Sequence, residues 1–172
     1  MTPGNNGVLD ENGHFQIRGI VGLVLFRNGM FPPGLGVKSV RLDGADITDQ
    51  PYDSSNGDAS GLEIVIAEMA EIHGTARNAR GEPMKDFKVA LYPAGVKPSL
   101  RTQRFMATAT ADPAGHFQIP NLPEGEYLIV AVESFDRGEE WDPAFQQKVL
   151  PAAKRFAVKE GQTVTVDAPY VE

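Results

Sequence analysis

A segment of eight residues occurs twice in the chain, and this repeat constrains the fold more than any other feature. Asp10–Ile17 reads Asp-Glu-Asn-Gly-His-Phe-Gln-Ile, and Asp112–Ile119 reads Asp-Pro-Ala-Gly-His-Phe-Gln-Ile, 102 residues later. A second match, between Gly61–Ile66 and Gly161–Val166, follows in the same order at an offset of 100 residues. A period of about 100 residues is typical of a small β-sandwich rather than of a solenoid unit.

The two copies differ in the length of chain that precedes the repeated segment. The second copy has about 40 residues before it, whereas the first has about 10. The sequence therefore predicts two domains: residues 1–69 as the C-terminal part of a preceding β-sandwich repeat, and residues 70–172 as a complete β-sandwich. We expect that the chain was cut from a longer protein, or that another part of the structure completes the first copy.

Short apolar runs separated by turn residues predict strands along the whole chain. Pro51–Gly61 is predicted to be a polar loop. Tyr127–Val132 is apolar on both faces, which predicts a central strand covered on both sides. The predicted strands of the second copy are residues 71–77, 87–92, 104–110, 116–119, 127–132 and 162–166, and those of the first copy are 15–17, 21–26, 37–42 and 62–67.

One short helix is predicted near residues 142–150. Asp142 can cap its first turn, and Pro143 suits the first helical position. Phe145 and Val149 are four residues apart, so they share one face of that helix. The predicted fold class is therefore an all-β sandwich with one short helix.

Composition excludes several classes of function. The net charge is −7 and no basic stripe is present, so nucleic-acid binding is not expected. The chain has no cysteine, which excludes disulfides, cysteine-ligated zinc and thiol catalysis. No phosphate-binding or dinucleotide-binding motif and no nucleophile elbow is present, so we expect no cofactor. No apolar run is long enough to span a membrane.

The second copy resembles the carboxypeptidase regulatory-like, or transthyretin-like, β-sandwich family. Asp112–Phe117 and Leu122–Tyr127 are similar to that family's Asp-x-x-Gly-x-Phe and Leu-Pro-x-Gly-x-Tyr motifs, and Ile72–Pro83 is similar to its opening strands. The resemblance covers residues 70–168. The first copy is similar to a tandem bacterial variant of the family through Val37–Asp49, although the Leu-Pro-x-Gly-x-Tyr signature is absent at Gly19–Gly22.

This resemblance implies an immunoglobulin-like or transthyretin-like β-sandwich that is not an enzyme. Such domains flank peptidases, transporters and surface proteins, where they aid folding, spacing or recognition. We therefore expect a structural or interaction module of a larger bacterial exported or cell-surface protein, with the other domains of that protein as its partners. A periplasmic or extracellular location is implied in the same way. Met1–Asn6 does not resemble a signal peptide, so any export signal is expected upstream of this sequence.

The alternative function is a carbohydrate- or protein-binding module. Trp141, Phe31 and Tyr52 lie in or beside predicted loops, where aromatic rings can stack on a sugar or a partner. These three residues are the candidate ligand contacts.

Three histidines and one acidic segment are further polar candidates for a site. His14, His73 and His116 lack metal-ligand spacing, and the equivalent placement of His14 and His116 predicts a shared structural role such as a cross-strand contact. Asp53–Asp58 resembles a calcium loop but departs from the EF-hand pattern, which leaves a solvated turn or an irregular calcium site. No metal site is predicted.

Two further features carry alternative readings. Glu139, Glu140 and Asp142 surround Trp141, and paired carboxylates beside an aromatic ring can indicate a glycosidase. The favoured interpretation is a loop in which Trp141 packs at the start of the helix. Tyr127 is predicted to pack in the core and to bond its hydroxyl to nearby backbone, as in a tyrosine corner.

Overall fold

The computed structural model describes residues 9–27, 31–78, 80–83, 86–96 and 103–171 of the 172-residue chain. The chain divides into two compact units, and 45% of the described residues are in strands. The first unit comprises Met1–Phe31 and Val37–Ile66, and the second comprises Pro32–Gly36 and Ala67–Glu172. One α-helix occurs within the described residues. The predicted all-β fold class with one short helix is confirmed.

The elements follow one another in this order: β1 Leu23–Val24, β2 Leu35–Leu42, β3 Ala45–Asp46, β4 Tyr52–Asp53, β5 Leu62–Glu68, β6 Ala70–Arg77, β7 Lys88–Pro93, β8 Ala107–Thr110, β9 His116–Leu122, β10 Gly125–Val132, α1 Pro143–Val149, β11 Lys154–Val158, β12 Thr163–Thr165 and β13 Ala168–Val171. Short 3₁₀ turns occupy Ser54–Asn56, Gln103–Phe105, Glu139–Trp141 and Leu150–Ala152.

The second unit consists of two groups of strands that enclose one apolar core. In the first group, β6 pairs antiparallel with β9 and parallel with β12 and β13. In the second group, β7 lies between β8 and β10, and β10 also pairs with β11. β13 leaves β6 and continues parallel to the end of β10, so it joins the two groups. Side chains from β6, β7, β9 and β10 fill the core between them.

Strand β10 is buried on both faces, as its apolar sequence predicts. Tyr127 and Ile129 belong to the core between the two groups of strands. Val130 points to the opposite face, where it packs in a second apolar cluster with Val149 of α1. Ile129 and Val130 are both completely buried. Full burial of such side chains contributes about 1.5–3 kcal/mol each, so β10 requires cover from both sides.

Helix α1 supplies the cover on the outer face, and its predicted capping is confirmed. The Asp142 carboxylate accepts a hydrogen bond from the Ala144 N–H at 2.7 Å, and proline occupies the first helical position. Phe145 and Val149 both lie in the outer apolar cluster. The spacing of four residues therefore places both side chains on the buried face.

Tyr127 forms the predicted hydrogen bond to nearby backbone. Its hydroxyl donates to the carbonyl of Pro123 at 2.6 Å, and the residue is completely inaccessible to solvent. Burial raises the pKa of the Tyr127 phenol above its ordinary value, so the hydroxyl remains a donor at physiological pH. The bond ties the start of β10 to the turn before it.

The first unit matches the strands predicted from the sequence only in part. The predicted strands at 37–42 and 62–67 correspond to β2 and β5, and β2 continues into β3 through a two-residue turn at Asp43 and Gly44. Both turn residues have positive φ (50° and 82°), which suits the right-handed twist of a tight hairpin. Phe26, Val37 and Val40 form the small core.

Three predictions for the first unit are wrong. Residues 15–17 form no strand, and only Leu23–Val24 of the predicted strand 21–26 is extended in a ladder. The segment Pro51–Gly61 was expected to be a loop, but it contains β4, which pairs with β1, and a 3₁₀ turn. Apolar alternation alone does not make a strand, because each strand also requires a partner for its backbone groups.

The repeated segment folds into the same turn in both units. Asp112 Oδ1 accepts hydrogen bonds from the N–H groups of Ala114 and His116, both at 2.8 Å. Asp10 Oδ1 accepts the equivalent bonds from Asn12 and His14, also at 2.8 Å. The glycine of each turn has positive φ, 80° in the first copy and 84° in the second. The sequence Asp-x-x-Gly thus specifies this turn independently of its surroundings.

Gly74 is required where β6 lies against β9, and replacing it tests the packing of the core. A Cβ atom there would lie 2.0 Å from the Val166 carbonyl oxygen and 2.4 Å from the Phe117 ring. We expect Gly74→Ala to lower the free energy of unfolding by at least about 2 kcal/mol in chemical denaturation, because the crowding atom is backbone. The matched control is Gly125→Ala, whose Cβ would meet its nearest neighbour at 3.7 Å. Equal midpoints for the two variants would contradict this packing.

Candidate functional site

The candidate site is a cleft of about 280 Å³ in the second unit, beside β7 and β8. Its floor is the outer face of these strands, and the 3₁₀ turn Glu139–Trp141 forms one wall. The lining residues are Ala90, Leu91, Tyr92, Gln103, Met106, Ala107, Thr108, Glu140 and Trp141. The cleft therefore combines two aromatic side chains, Tyr92 and Trp141, with a few hydrogen-bonding groups, as small-ligand sites do.

The wall of the cleft is held by two hydrogen bonds to one carbonyl group. The Tyr92 hydroxyl donates to the Glu140 carbonyl oxygen at 3.1 Å, and Gln146 Nε2 donates to the same oxygen at 3.0 Å. Tyr92 is completely buried, and Gln146 is 8% exposed. Burial, together with the nearby Glu140 charge, raises the pKa of the Tyr92 phenol above its ordinary value. Tyr92 is therefore a permanent donor that fixes this turn against the strand.

The acidic residues around Trp141 are engaged by backbone N–H groups close in sequence. The Glu139 carboxylate accepts from the N–H of Asp136 at 2.8 Å. The Glu140 carboxylate accepts from the N–H of Gly138 at 2.7 Å. The third acid, Asp142, caps α1. Each acid of the group that resembled a glycosidase pair thus stabilises the loop or the helix start locally.

Trp141 is the predicted contact residue that lies in this cleft, where its ring is half-buried. Phe31 and Tyr52 belong to the first unit and pack, partly buried, against its core. The Tyr52 ring lies 6.1 Å from that of Phe26, and its hydroxyl donates to the Gly57 carbonyl. Ligand contact at each of the three residues stays a prediction.

The residues weighed as metal ligands have local partners. Asp53 Oδ1 accepts from the Ser55 N–H at 2.9 Å, and this bond holds the pKa of the Asp53 carboxyl below its ordinary value. Asp53 therefore caps the 3₁₀ turn that follows it. In the part of the chain that the structure describes, no three His, Asp or Glu side chains converge in a metal-like cluster.

His14 and His116 share a contact with the aspartate of their own turn, and only His116 has a cross-strand position, opposite Thr75 in the pair of β6 and β9. Nδ1 of His14 lies 3.3 Å from the Asp10 carboxylate, and Nδ1 of His116 lies 3.6 Å from that of Asp112. Both rings are largely exposed, and each contacts the aspartate of its own turn. The bond from the His116 N–H to the Asp112 carboxylate, with its counterpart at His14, lowers the pKa of both aspartates.

Several residues of the cleft could not be identified from the sequence. Tyr92 and Gln146 converge on Glu140 although Tyr92 lies 48 residues before it, and no local pattern links them.

Beside α1 lies a second, more open depression of about 690 Å³. It is lined by Pro93, Gly95, Val96, Leu128, Pro143, Gln146, Gln147, Leu150 and Pro151.

Comparisons with known proteins find similar solved structures but no matching family model. No protein-family model matches the chain, and no curated protein matches it. A Pseudomonas aeruginosa protein for which carbohydrate binding has been suggested is similar in structure, with 19% identity and a TM-score of 0.39 over 60% of this chain and 89% of that one. The major pilin subunit BcpA of Bacillus cereus is also similar, with 17% identity and a TM-score of 0.43 over 81% of this chain and 39% of that one.

A DUF3823 family protein of Bacteroides ovatus has 17% identity and a TM-score of 0.36, over 59% of this chain and 43% of that one. The chain spans less than half of the pilin and of this Bacteroides protein. At such identities the likeness concerns the β fold alone.

No helix among the described residues is long and apolar enough to cross a bilayer.

The hydrogen bond from Tyr92 can be tested through Trp141, the single tryptophan of the chain. We expect Tyr92→Phe to lower the free energy of unfolding by about 1 kcal/mol, because the Glu140 carbonyl loses a buried donor. We also expect a red-shifted Trp141 emission with greater acrylamide quenching, because the turn is released from β7. Tyr127→Phe is the matched control: it removes a buried bond of the same kind from the core, with a similar loss of stability. An emission change of equal size in both variants would contradict the anchoring role of Tyr92.

Proposed function

We propose that the chain is a non-catalytic structural or interaction module of a larger bacterial exported or cell-surface protein. The observation that carries this proposal is the state of the acidic groups at the cleft. Glu139, Glu140 and Asp142 each accept a hydrogen bond from nearby backbone, and their roles are accounted for by the loop and the helix cap. A catalytic acid pair instead faces a shared space where a bond can be cleaved.

Membership of the carboxypeptidase regulatory-like family is part of the same proposal. It is supported by two local geometries, the turn around Asp112 and the bond from Tyr127 to Pro123, which occur at the motifs that carry the resemblance. Under this proposal residues 70–172 form one complete sandwich, and residues 1–69 belong to a preceding repeat. The partners are then other domains of the same protein.

The location of the natural protein tests the proposal. When the natural gene is expressed in its host, we expect fractionation and protease accessibility of intact cells to place this chain in the periplasm or at the cell surface. A cytoplasmic marker protein serves as the control. Recovery of the chain with that marker, protected from external protease and from osmotic shock, would overturn the exported location.

Carbohydrate binding at the cleft is a second candidate, favoured by the position of Trp141. Its half-buried ring lies beside the exposed side chains of Gln103 and Thr108, which can donate and accept hydrogen bonds. An aromatic face with adjacent polar groups is the chemistry that sugar rings require. Because Tyr92 and Gln146 fix the turn that carries Trp141, the backbone of this turn loses little conformational freedom on binding.

A panel of oligosaccharides, titrated against Trp141 fluorescence and by calorimetry, tests this candidate. We expect Trp141→Ala to weaken binding of an oligosaccharide hit at least about tenfold and Trp141→Phe to weaken it less, because the phenyl ring retains a stacking face. Phe31→Ala and Tyr52→Ala test the two other predicted contacts. An intact fold with no saturable binding across the panel would remove this candidate and leave the structural module.

A further inference from the structure

The two copies of the repeated segment share a turn but differ in what covers the residues after it. In the second unit, Phe117 and Ile119 are 5% and 2% exposed and lie within strand β9. The equivalent residues of the first unit, Phe15 and Ile17, are only half-buried and lie outside any strand. Among the described residues, the backbone groups of Phe15, Gln16 and Ile17 form no hydrogen bond.

Strand β6 provides the cover in the second unit, and its sequence matches the face it covers. It runs antiparallel to β9, with Ile72 opposite Ile119 and Gly74 opposite Phe117. The missing side chain at Gly74 leaves room for the Phe117 ring, since a Cβ atom would lie 2.4 Å from it. The pattern Ile-x-Gly therefore fits the pattern Phe-x-Ile across an antiparallel pair.

The second repeated match shows a similar difference in burial at its last position. β12 lies on the other side of β6 and runs parallel to it, and the Val166 N–H just after β12 donates to the His73 carbonyl at 2.9 Å. Val166 is 4% exposed, whereas Ile66, at the matching position of the first copy, is 37% exposed. Ile66 lies in β5, which is an edge strand of its three-stranded sheet among the described residues. β9 and residues 163–166, which flank β6, thus each contain a buried residue whose counterpart in the first copy is more exposed.

We propose that His14–Ile17 is a docking edge for an extended polypeptide strand of the β6 type. The strand runs antiparallel to this segment, with glycine opposite Phe15 and an apolar β-branched residue opposite Ile17. The turn at Asp10 already holds the segment in the conformation that precedes β9 in the second unit, so docking requires little reorganisation. This inference deepens the proposed interaction role, on which it rests, by naming the chemistry of the partner.

A synthetic peptide with the sequence of residues 69–78 of this chain, added to the full chain, tests the proposal. We expect saturable binding with chemical-shift changes and slowed hydrogen exchange at the amides of Phe15–Ile17 and at Ile66, followed by NMR. A peptide with valine in place of its glycine should bind at least about tenfold more weakly, because a side chain at Gly74 has no room beside Phe117, the counterpart of Phe15. That comparison requires no change to the protein and is independent of any folding defect.

Protein variants supply a second comparison. Phe15→Ala should weaken binding of the peptide at least about tenfold, whereas Gln16→Ala, whose exposed side chain alternates to the other face, should leave binding unchanged. Absence of binding at millimolar peptide, equal binding of the valine peptide, or shifts confined to residues 116–119 would each overturn the docking edge. The proposed function is tested separately, by the location of the protein in its host. A negative result in the peptide experiments would therefore overturn the docking edge and leave the exported location untouched.

Discussion

The structure of the second unit depends on one constraint: strand β10 carries apolar side chains on both faces. One face joins the core with Tyr127 and Ile129, and the other requires a cover that the strands do not supply. Helix α1 meets this requirement through Val149. The chain between β10 and α1 must then cross the outer face of β7, and Tyr92 fixes that crossing by its bond to Glu140. The candidate cleft thus results from the need to bury both faces of β10, one in the core and the other under α1.

Elements that follow from local chemistry could be predicted from the sequence, and elements that depend on distant partners could not. The apolar run of β10 and the Asp142 cap of α1 each depend on a few consecutive residues, so both can be recognised in the sequence. In contrast, β11 and β13 were not predicted. β13 contains Pro169, which ordinarily argues against a strand. It is extended because it passes from β6 to β10, with Pro169 opposite Arg77 just before the change of partner.

The repeated segment contains both a feature set by local chemistry, the turn, and a feature set by a distant partner, the strand. The aspartate and glycine of each copy produce the same turn, because the carboxylate accepts two backbone N–H groups within four residues. The following Phe-Gln-Ile is a strand in β9 and has no ladder in the first copy. Identical residues therefore fix the turn but not the strand, whose formation requires β6 opposite Phe-Gln-Ile. The wrong prediction for residues 15–17 has this physical cause.

The candidate site shows the same limit on what a sequence reveals about chemistry. In the sequence, three acids around a tryptophan resemble a catalytic group. In the structure, the carboxylates of Glu139 and Glu140 each accept a hydrogen bond from a backbone N–H only two or three residues away. Their effect is to hold the turn that carries Trp141, with Tyr92 holding it from the strand. These bonds fix the backbone that carries the ring, so the turn itself needs little ordering when a surface packs against it. In the interaction module that we propose, this turn presents Trp141 at the cleft.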